Sequence, residues 1–295
     1  MRRQRHGWSS KAGRCVSARL ALRPDSAPNA GSGGACMPTI RQWVEAVAAT
    51  LLTVAATLAL LQALGPDWTR FAPATCLGTH CFCETPRTGT LILQPANSWS
   101  SFGFVFVGWW IILDRQRSAT FGGAVAAWYG LTAIFIGVGS VMLHATLTLW
   151  GQFLDVVGMY LLGSLVLAWA LRRWRCLSDN SSVAIYVALC SVLIGLLLLV
   201  PETRRWLFAV VLVAAIAAEW FGARPRRIGV APHWFLAGLV ANIAAFALWV
   251  PDQARTLCAP DSLWQGHAAW HLLGAVAVAC SYIYYRGETR PARAD

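Results

Sequence analysis

The sequence predicts an all-α protein, a multi-span transmembrane helical bundle. Only 13% of its 295 residues are charged, whereas soluble domains carry about a quarter. Apolar residues make up 57% of the chain and are concentrated in eight stretches, most of them long enough to cross a bilayer as a helix. Short polar loops separate these stretches. This pattern is typical of an integral membrane protein and excludes an ordinary soluble domain.

The first apolar stretch, at about 43–64, follows an N-terminal segment of different character. Residues 1–36 are rich in Arg, Ser, Gly and Ala without periodicity, which predicts a disordered tail or an upstream extension of a protein that starts at Met37. The stretch is too long for a signal peptide and lacks a small-x-small cleavage site, so we interpret it as an anchor span. We divide the chain into a tail (1–36), an anchor span with a cysteine-rich outer loop (37–97), a seven-span core (98–285) and a basic inner tail (286–295).

Seven further apolar stretches form the predicted core, which makes the anchor one extra N-terminal span. Their predicted bounds are 98–113, 120–143, 152–171, 182–200, 206–222, 233–250 and 266–285.

The net charge of +11 is distributed as in a membrane protein. Residues 1–36 carry seven basic side chains and one acidic one, and the other arginines cluster in alternate loops between the spans. Arg204 and Arg205 are the main exception to this alternation. The positive-inside rule then places both termini inside and the cysteine-rich loop outside. The pattern does not favour a nucleic-acid partner.

Two groups of polar residues stand out in the apolar sequence: Ser140, His144 and Asp155, and then His267 and His271. Polar groups at such depth are expensive, and they usually face the interior of a bundle and serve a function there. Ser140 and His144 are four residues apart, as are His267 and His271, so each pair shares one helix face. The predicted topology places His144, Asp155, His267 and His271 on the outer side. This coincidence supports a single site.

Three histidines from two distant helices match the ligand set of a catalytic zinc site, which leaves one position open for water. We therefore predict a zinc site formed by His144, His267 and His271, with Asp155 nearby.

Four of the nine cysteines lie in predicted outer loops, where disulfides persist. We predict a Cys83–Cys258 disulfide between the loops before the second and the last span, and Cys76–Cys81 is a second pairing that the loop allows. The other cysteines, in the tail, an inner loop and the spans, are expected to be free thiols.

The motifs that carry these residues resemble the alkaline ceramidases. This family belongs to a superfamily of seven-span membrane hydrolases that also includes GPI-lipid remodelling proteins and progestin/adiponectin receptors. The shared features are Ser-x3-His (Ser140, His144), an aspartate eleven residues later (Asp155), and His-x3-His (His267, His271) at the start of the last span. Cys83-Glu84 and Asn97-Ser98-x-Ser100 are also similar to ceramidase sequences. The resemblance covers roughly residues 80–285.

The resemblance implies that His144, His267 and His271 bind zinc, with Ser140 and Asp155 beside it, and it implies the Cys83–Cys258 pairing independently. Ceramidases also bind calcium in an acidic loop. This chain departs from that pattern, because the corresponding loop offers Glu84 as the single candidate ligand. Other residues replace the expected acidic or amide ligands, namely Cys81, Pro86 and Gln94. A calcium site is therefore not favoured.

The implied reaction is zinc-dependent hydrolysis of the N-acyl amide of ceramide or a related membrane lipid. In this hypothesis Asp155 transfers the proton of the attacking water to the leaving amine, and Ser140 donates a hydrogen bond to the developing oxyanion. Catalysis would take place at the outer ends of the helices, which leaves the lipid tails in an apolar groove.

Three other interpretations are compatible with the same residues. The first is an ester-cleaving hydrolase of phospholipids or GPI-lipids that uses the same zinc. The second is a receptor-like protein in which the zinc is structural, and the third is a transporter. Inverted repeats or broken helices would support the transporter, and the sequence shows neither.

Overall fold

The structure, a computed structural model, describes residues 39–77, 82–115, 121–224 and 231–288. It confirms the all-α multi-span prediction: the described residues contain eight helices with the length and apolar composition needed to cross a membrane. The helices are α1 (Ile40–Leu64), α2 (Pro95–Asp114), α3 (Gly123–Thr146), α4 (Leu149–Arg175), α5 (Asp179–Leu199), α6 (Arg204–Ala217, continued by a π-helical segment, Ala218–Ala223), α7 (Pro232–Gln253) and α8 (Gly266–Arg286).

The helices form two groups that are joined through α3. The groups are separated by a space where α6 faces α7. In one group α2 packs against α3 and α8, and α7 packs mainly against α8. In the other, α4 packs against α3, α5 and α6. Little direct packing joins α6 to α7, and a cavity lies between them. Large apolar side chains cover the outward faces of α1, α5 and α7, as expected of surfaces that face lipid.

The predicted anchor span is present as α1 and packs along α2. Trp43 stacks on Phe106 and on Trp110, with ring centroids 5.7 and 5.9 Å apart. Trp109 of α2 also donates a hydrogen bond from its indole nitrogen to the Thr53 hydroxyl, at 2.9 Å. α1 therefore joins the bundle at its edge, away from the central cavity.

The α3–α4 connection is short, and its geometry explains how it reverses the chain direction. Leu147 adopts the left-handed conformation, with φ of 51°, and ends α3. Thr148 then caps α4 by accepting a hydrogen bond from the Gly151 amide at 3.2 Å. This turn lies at one end of the bundle, where α3 and α7 end and α2, α4, α6 and α8 begin. We refer to it as the histidine end.

The loop before α2 covers the histidine end. Its backbone bonds to the α3–α4 turn: the Ala74 amide donates to the Leu147 carbonyl at 2.9 Å, and the Gln94 amide donates to the His144 carbonyl at 3.0 Å. The predicted Cys83–Cys258 disulfide is present and ties this loop to the α7–α8 loop. The loop is thus fixed over the last turn of α3.

The opposite end of the bundle is closed by buried ion pairs. Arg173 of α4 bonds to the Glu219 carboxylate at 2.5 and 2.6 Å and forms an ion pair with Glu288 at 2.5 Å. Arg286 of α8 pairs with Asp114 of α2 at 2.6 Å. Buried charges are costly without partners. These ion pairs satisfy the buried charges at this end of the bundle and give them a structural role.

Candidate metal centre and active site

Three buried histidines converge at the histidine end. His144 comes from the last turn of α3, and His267 and His271 come from the first turns of α8. One nitrogen from each ring lies within 4.8 Å of the others, so the three side chains could hold a metal ion. The Nε2 atoms of His144 and His267 are 3.1 Å apart. Nitrogen ligands 2.0–2.1 Å from a tetrahedral metal would be about 3.3 Å apart, so this spacing fits a shared ion.

Two of the three rings are oriented by hydrogen bonds on the side away from the cluster. His144 Nδ1 lies 2.9 Å from Gln94 Oε1, which leaves its Nε2 directed at His267. His271 Nδ1 lies 2.9 Å from the Ser100 hydroxyl and 3.2 Å from the Ser101 hydroxyl. Such partners fix the tautomer and orientation of metal-binding imidazoles. His267 Nδ1 has no hydrogen-bond partner in the described part of the chain.

The start of α8 is positioned by close contact with α7. A Cβ added at Gly266 would lie 2.4 Å from the Leu248 carbonyl oxygen, so only glycine allows this approach. The buried Asp252 carboxylate accepts a hydrogen bond from the Gly266 amide at 2.8 Å, which places a negative charge at the helix N-terminus. His267 follows directly, and the interhelical contact therefore determines where its ring lies.

Ser140 and Asp155 lie beside the histidines. The Ser140 hydroxyl is 3.2 Å from His271 Nε2, and Ser140 and Asp155 line the same cavity as His267 and His271. Asp155 reaches this position because α4 approaches α3 at Gly139. A Cβ on Gly139 would lie 2.7 Å from the Leu154 carbonyl oxygen. The five residues singled out in the sequence are thus adjacent in space.

A cavity of about 640 Å³ extends from this cluster between α4, α6, α7 and α8. Ser140, Asp155, His267 and His271 line it at the histidine end. Most of the remaining wall is apolar, formed by residues such as Val156, Met159, Leu162, Leu212, Leu239 and Phe246. Its shape and lining suit a long hydrocarbon chain with a reactive polar group at one end.

Phe82 covers the histidines from the loop side. Its ring centroid lies 4.5 Å from those of both His144 and His267. The ring is buried and belongs to the loop that the Cys83–Cys258 disulfide fixes. Phe82 therefore separates the cluster from solvent on this side.

Glu84, the candidate calcium ligand, caps α2. Its carboxylate accepts hydrogen bonds from the Ala96 amide at 2.7 Å and the Asn97 amide at 2.9 Å. Burial of the carboxyl raises the pKa of Glu84 above its usual value. In the residues that the structure describes, the three histidines form the single group of three or more metal-donor side chains. Cys81, which the sequence comparison also considered at this loop, lies outside the described residues.

The cysteines agree with the predictions in part. Cys190 and Cys280 are free and buried within spans, as predicted. Cys76 is disulfide-bonded, but the predicted partner Cys81 lies outside the described residues. The expectation of a free thiol at Cys176 was wrong, because this residue is also disulfide-bonded. Arginine counts place Cys176 in an inner loop, and they carry no information about which cysteines pair.

Several residues at the site were not recognised as such from the sequence, among them Gln94, Ser100, Arg204 and Arg205. Gln94 and Ser100 orient histidines, although Gln94 was considered only as a departure from a calcium motif. Arg204 and Arg205 line the cavity, although the sequence presented them only as an exception to the loop charge pattern. The sequence signal that could have identified these two arginines was their position in a loop on the arginine-poor side.

Residues 79–289 match the family model described as Ceramidase. The match covers more than two thirds of the chain and includes α2 to α8, while α1 lies outside it. No curated protein matches the chain significantly. The family match agrees with the Ser-x3-His, Asp and His-x3-His motifs that are assembled at the histidine end. The chain therefore belongs to the ceramidase family.

Proposed function

We propose that this protein is a zinc-dependent amidohydrolase that cleaves the N-acyl amide of a ceramide-like membrane lipid to a free base and a fatty acid. The observation that carries the proposal is the convergence of His144, His267 and His271 at the head of a long apolar cavity. Membership of the ceramidase family supports an amide substrate.

The donor set supports zinc over other metals. Three imidazole nitrogens with no protein carboxylate among them suit zinc, whereas magnesium and calcium prefer oxygen ligands. The cluster offers three ligands and leaves room on the cavity side, as catalytic zinc sites do and closed structural sites do not. When bound, zinc would lower the pKa of a water molecule to around 7 and polarise the lipid carbonyl.

The chain's own residues would complete the reaction. The Asp155 carboxylate would accept a proton from the attacking water and return it to the nitrogen of the leaving amine. The Ser140 hydroxyl would donate a hydrogen bond to the carbonyl oxygen as negative charge develops there. The acyl chain would lie along the apolar wall between α6 and α7, and Phe82 would exclude bulk water from the loop side.

The arginine distribution supports an orientation in the membrane. Loops at the end opposite the histidines carry more arginine, and the positive-inside rule places such loops on the inner side. We therefore propose that the histidine end faces outward and that both termini are inside. The disulfides do not add to this argument, because Cys83–Cys258 lies at the histidine end and the disulfide-bonded Cys176 lies at the opposite end.

The test is a product analysis of the detergent-purified protein. We expect about one zinc per chain and release of fatty acid with free sphingoid base from ceramide, and removal of the metal with a chelator should stop both until zinc is restored. Release of a lysolipid from phospholipid, with ceramide intact, would instead identify an ester-cleaving hydrolase. Bound zinc without turnover of any lipid would favour a receptor-like protein.

Gln94 supplies a prediction about metal affinity. Replacing it with leucine removes the oxygen that orients the His144 ring while keeping similar volume. Loss of such a partner typically weakens metal binding about 10- to 100-fold, and we expect that change in zinc affinity, measured by competition with a chelator.

The matched control is Gln152→Leu. Gln152 is also buried at the histidine end, but its side-chain oxygen accepts hydrogen bonds from Thr75. This variant should retain wild-type zinc affinity. Equal affinities for Gln94→Leu and wild type would contradict the role assigned to Gln94.

A further inference from the structure

Two arginines begin α6 and line the same cavity as the histidines. Arg204 and Arg205 lie at the histidine end, and neither takes part in the reaction proposed above. They share the lining of that cavity with Asp155 and His267. The cavity therefore contains two positive charges beside the reactive groups.

Arg204 is buried without a strong counter-charge. Its side chain is 10% exposed, and its guanidinium donates a hydrogen bond to the Pro201 carbonyl at 3.1 Å. The closest carboxylate oxygen belongs to Glu202, which is 3.8 Å away and 77% exposed. An ion pair with so exposed a partner contributes little. A buried cation normally requires a close anion, and the one ion pair that Arg204 forms within the described residues is this weak one.

The positive charge of Arg205 is compensated even less by nearby carboxylates. Its guanidinium lies 5.7 Å from the ring centroid of Trp249 on α7, across the gap between α6 and α7. In the described ranges of the chain no carboxylate forms an ion pair with it. Arg205 is exposed and is also one of the residues that line the cavity. Its donors are thus available to a ligand that enters there.

The acidic residues that line the cavity do not neutralise this pair. Glu219 lies at the opposite end and is held by Arg173 and by the Tyr284 hydroxyl, at 2.6 Å. Asp155 is one carboxylate for two arginines, and it loses its charge whenever it accepts a proton in the proposed reaction. A neutral lipid head would leave this excess positive charge without a partner.

We propose that Arg204 and Arg205 bind an anionic group, a phosphate or carboxylate, on the head of the N-acylated lipid substrate. This inference rests on the proposed function and narrows its substrate class from neutral ceramides to anionic N-acyl lipids. Guanidinium groups form paired hydrogen bonds with both anions. The acyl chain would lie in the apolar part of the cavity, the amide would lie at Ser140 and Asp155, and the head would lie at the start of α6.

The same chemistry could come from a neighbouring bilayer phospholipid rather than from the substrate. The burial of Arg204 favours the substrate, because a side chain that binds bulk lipid would be on the outer surface. The two sources can be distinguished by adding an anionic phospholipid that is not a substrate. A preference for the anionic substrate should not need this lipid if the arginines bind the substrate, and should depend on it if they bind bulk lipid.

The experiment compares ceramide with the same ceramide esterified with phosphate at its primary hydroxyl, both in neutral detergent. We expect wild type to hydrolyse the phosphorylated lipid with a higher kcat/KM, by about tenfold or more, as one charge-assisted hydrogen bond would give. Arg205→Gln should reduce this ratio about tenfold, and Arg205→Lys should restore part of it. Arg204→Gln/Arg205→Gln should remove any preference that remains in Arg205→Gln.

Arg255→Gln is the matched control. Arg255 is an exposed arginine in the loop after α7, at the same end of the bundle, and it does not line the cavity. This variant should keep the wild-type ratio. Equal turnover of both lipids by wild type, or a preference that survives in Arg205→Gln, would overturn the proposal. So would a preference that exists only when phosphatidylglycerol is added, because the arginines would then bind bulk lipid.

A second measurement separates this proposal from the proposed function. If zinc-loaded wild type hydrolyses neither lipid, the hydrolase assignment fails, and thermal stability then tests the anion site. The phosphorylated lipid should raise the Tm of wild type more than ceramide does, and Arg205→Gln should abolish the difference. Equal Tm values with the two lipids would overturn the anion site as well.

Discussion

Replacing His271 with alanine is expected to abolish both zinc binding and lipid hydrolysis. His271 is one of three nitrogen donors in the buried cluster, and two imidazoles do not hold zinc as three do. Activation of water and polarisation of the carbonyl each contribute several kcal/mol. Loss of about 4 kcal/mol corresponds to a rate decrease of roughly a thousandfold, and we expect at least that decrease in kcat/KM, together with less than one tenth of the wild-type zinc content.

His233→Ala is the matched control, because His233 is exposed at the opposite end of the bundle. It should keep wild-type metal content and turnover. His271→Gln tests whether a loss of activity results from misfolding. A glutamine could still form hydrogen bonds with the Ser100 and Ser101 hydroxyls that contact His271. Retained hydrolysis in either His271 variant, in protein that elutes as wild type does, would contradict the zinc assignment.

The histidine cluster could be predicted because helix periodicity determines most of it. His267 and His271 are four residues apart and must share a face of α8. Alternation of the spans also required the end of α3 and the start of α8 to lie at the same end of the bundle. Intramembrane histidines are rare enough that their coincidence at one level indicates a site. The structure brings them within 4.8 Å.

The supporting residues could not be predicted, because they come from a loop that has no periodicity. Gln94 reaches His144 because the loop before α2 folds back over the last turn of α3. Nothing in its spacing relative to His144, fifty residues later, indicates this contact. The disulfide at Cys176 could not be predicted for a related reason. Assigning a loop to one side of the membrane indicates the compartment that it faces, but it does not show which cysteines form a bond.

Arg204 and Arg205, at the start of α6, show a different limit of prediction from sequence. The positive-inside rule treats a loop arginine as a topology signal, and by that rule Arg204 and Arg205 were only an exception. The structure turns both toward the cavity, because α6 begins with them directly after the Pro201–Thr203 turn. Whether a residue at a helix terminus faces lipid or a cavity depends on how the helices pack, which the sequence pattern alone does not determine.

Replacing Asp155 with asparagine is expected to stop turnover while leaving the metal in place. The carboxylate is the proposed proton acceptor, and asparagine has the same shape but cannot take up a proton. Such general-base contributions are typically about 10²- to 10⁴-fold, and we expect a decrease of that size in kcat for ceramide. Zinc content and Tm should stay close to wild type, because Asp155 is not one of the three convergent donors.

Asp179→Asn is the matched control: Asp179 is exposed at the opposite end of the bundle, where it forms an ion pair with Arg172. It should retain full activity. A decrease of less than tenfold in Asp155→Asn would contradict the proton-transfer role, and loss of zinc would show that Asp155 supports the metal instead. These two substitutions thus separate the two halves of the site, because His271→Ala should lose metal and activity together and Asp155→Asn should lose activity alone.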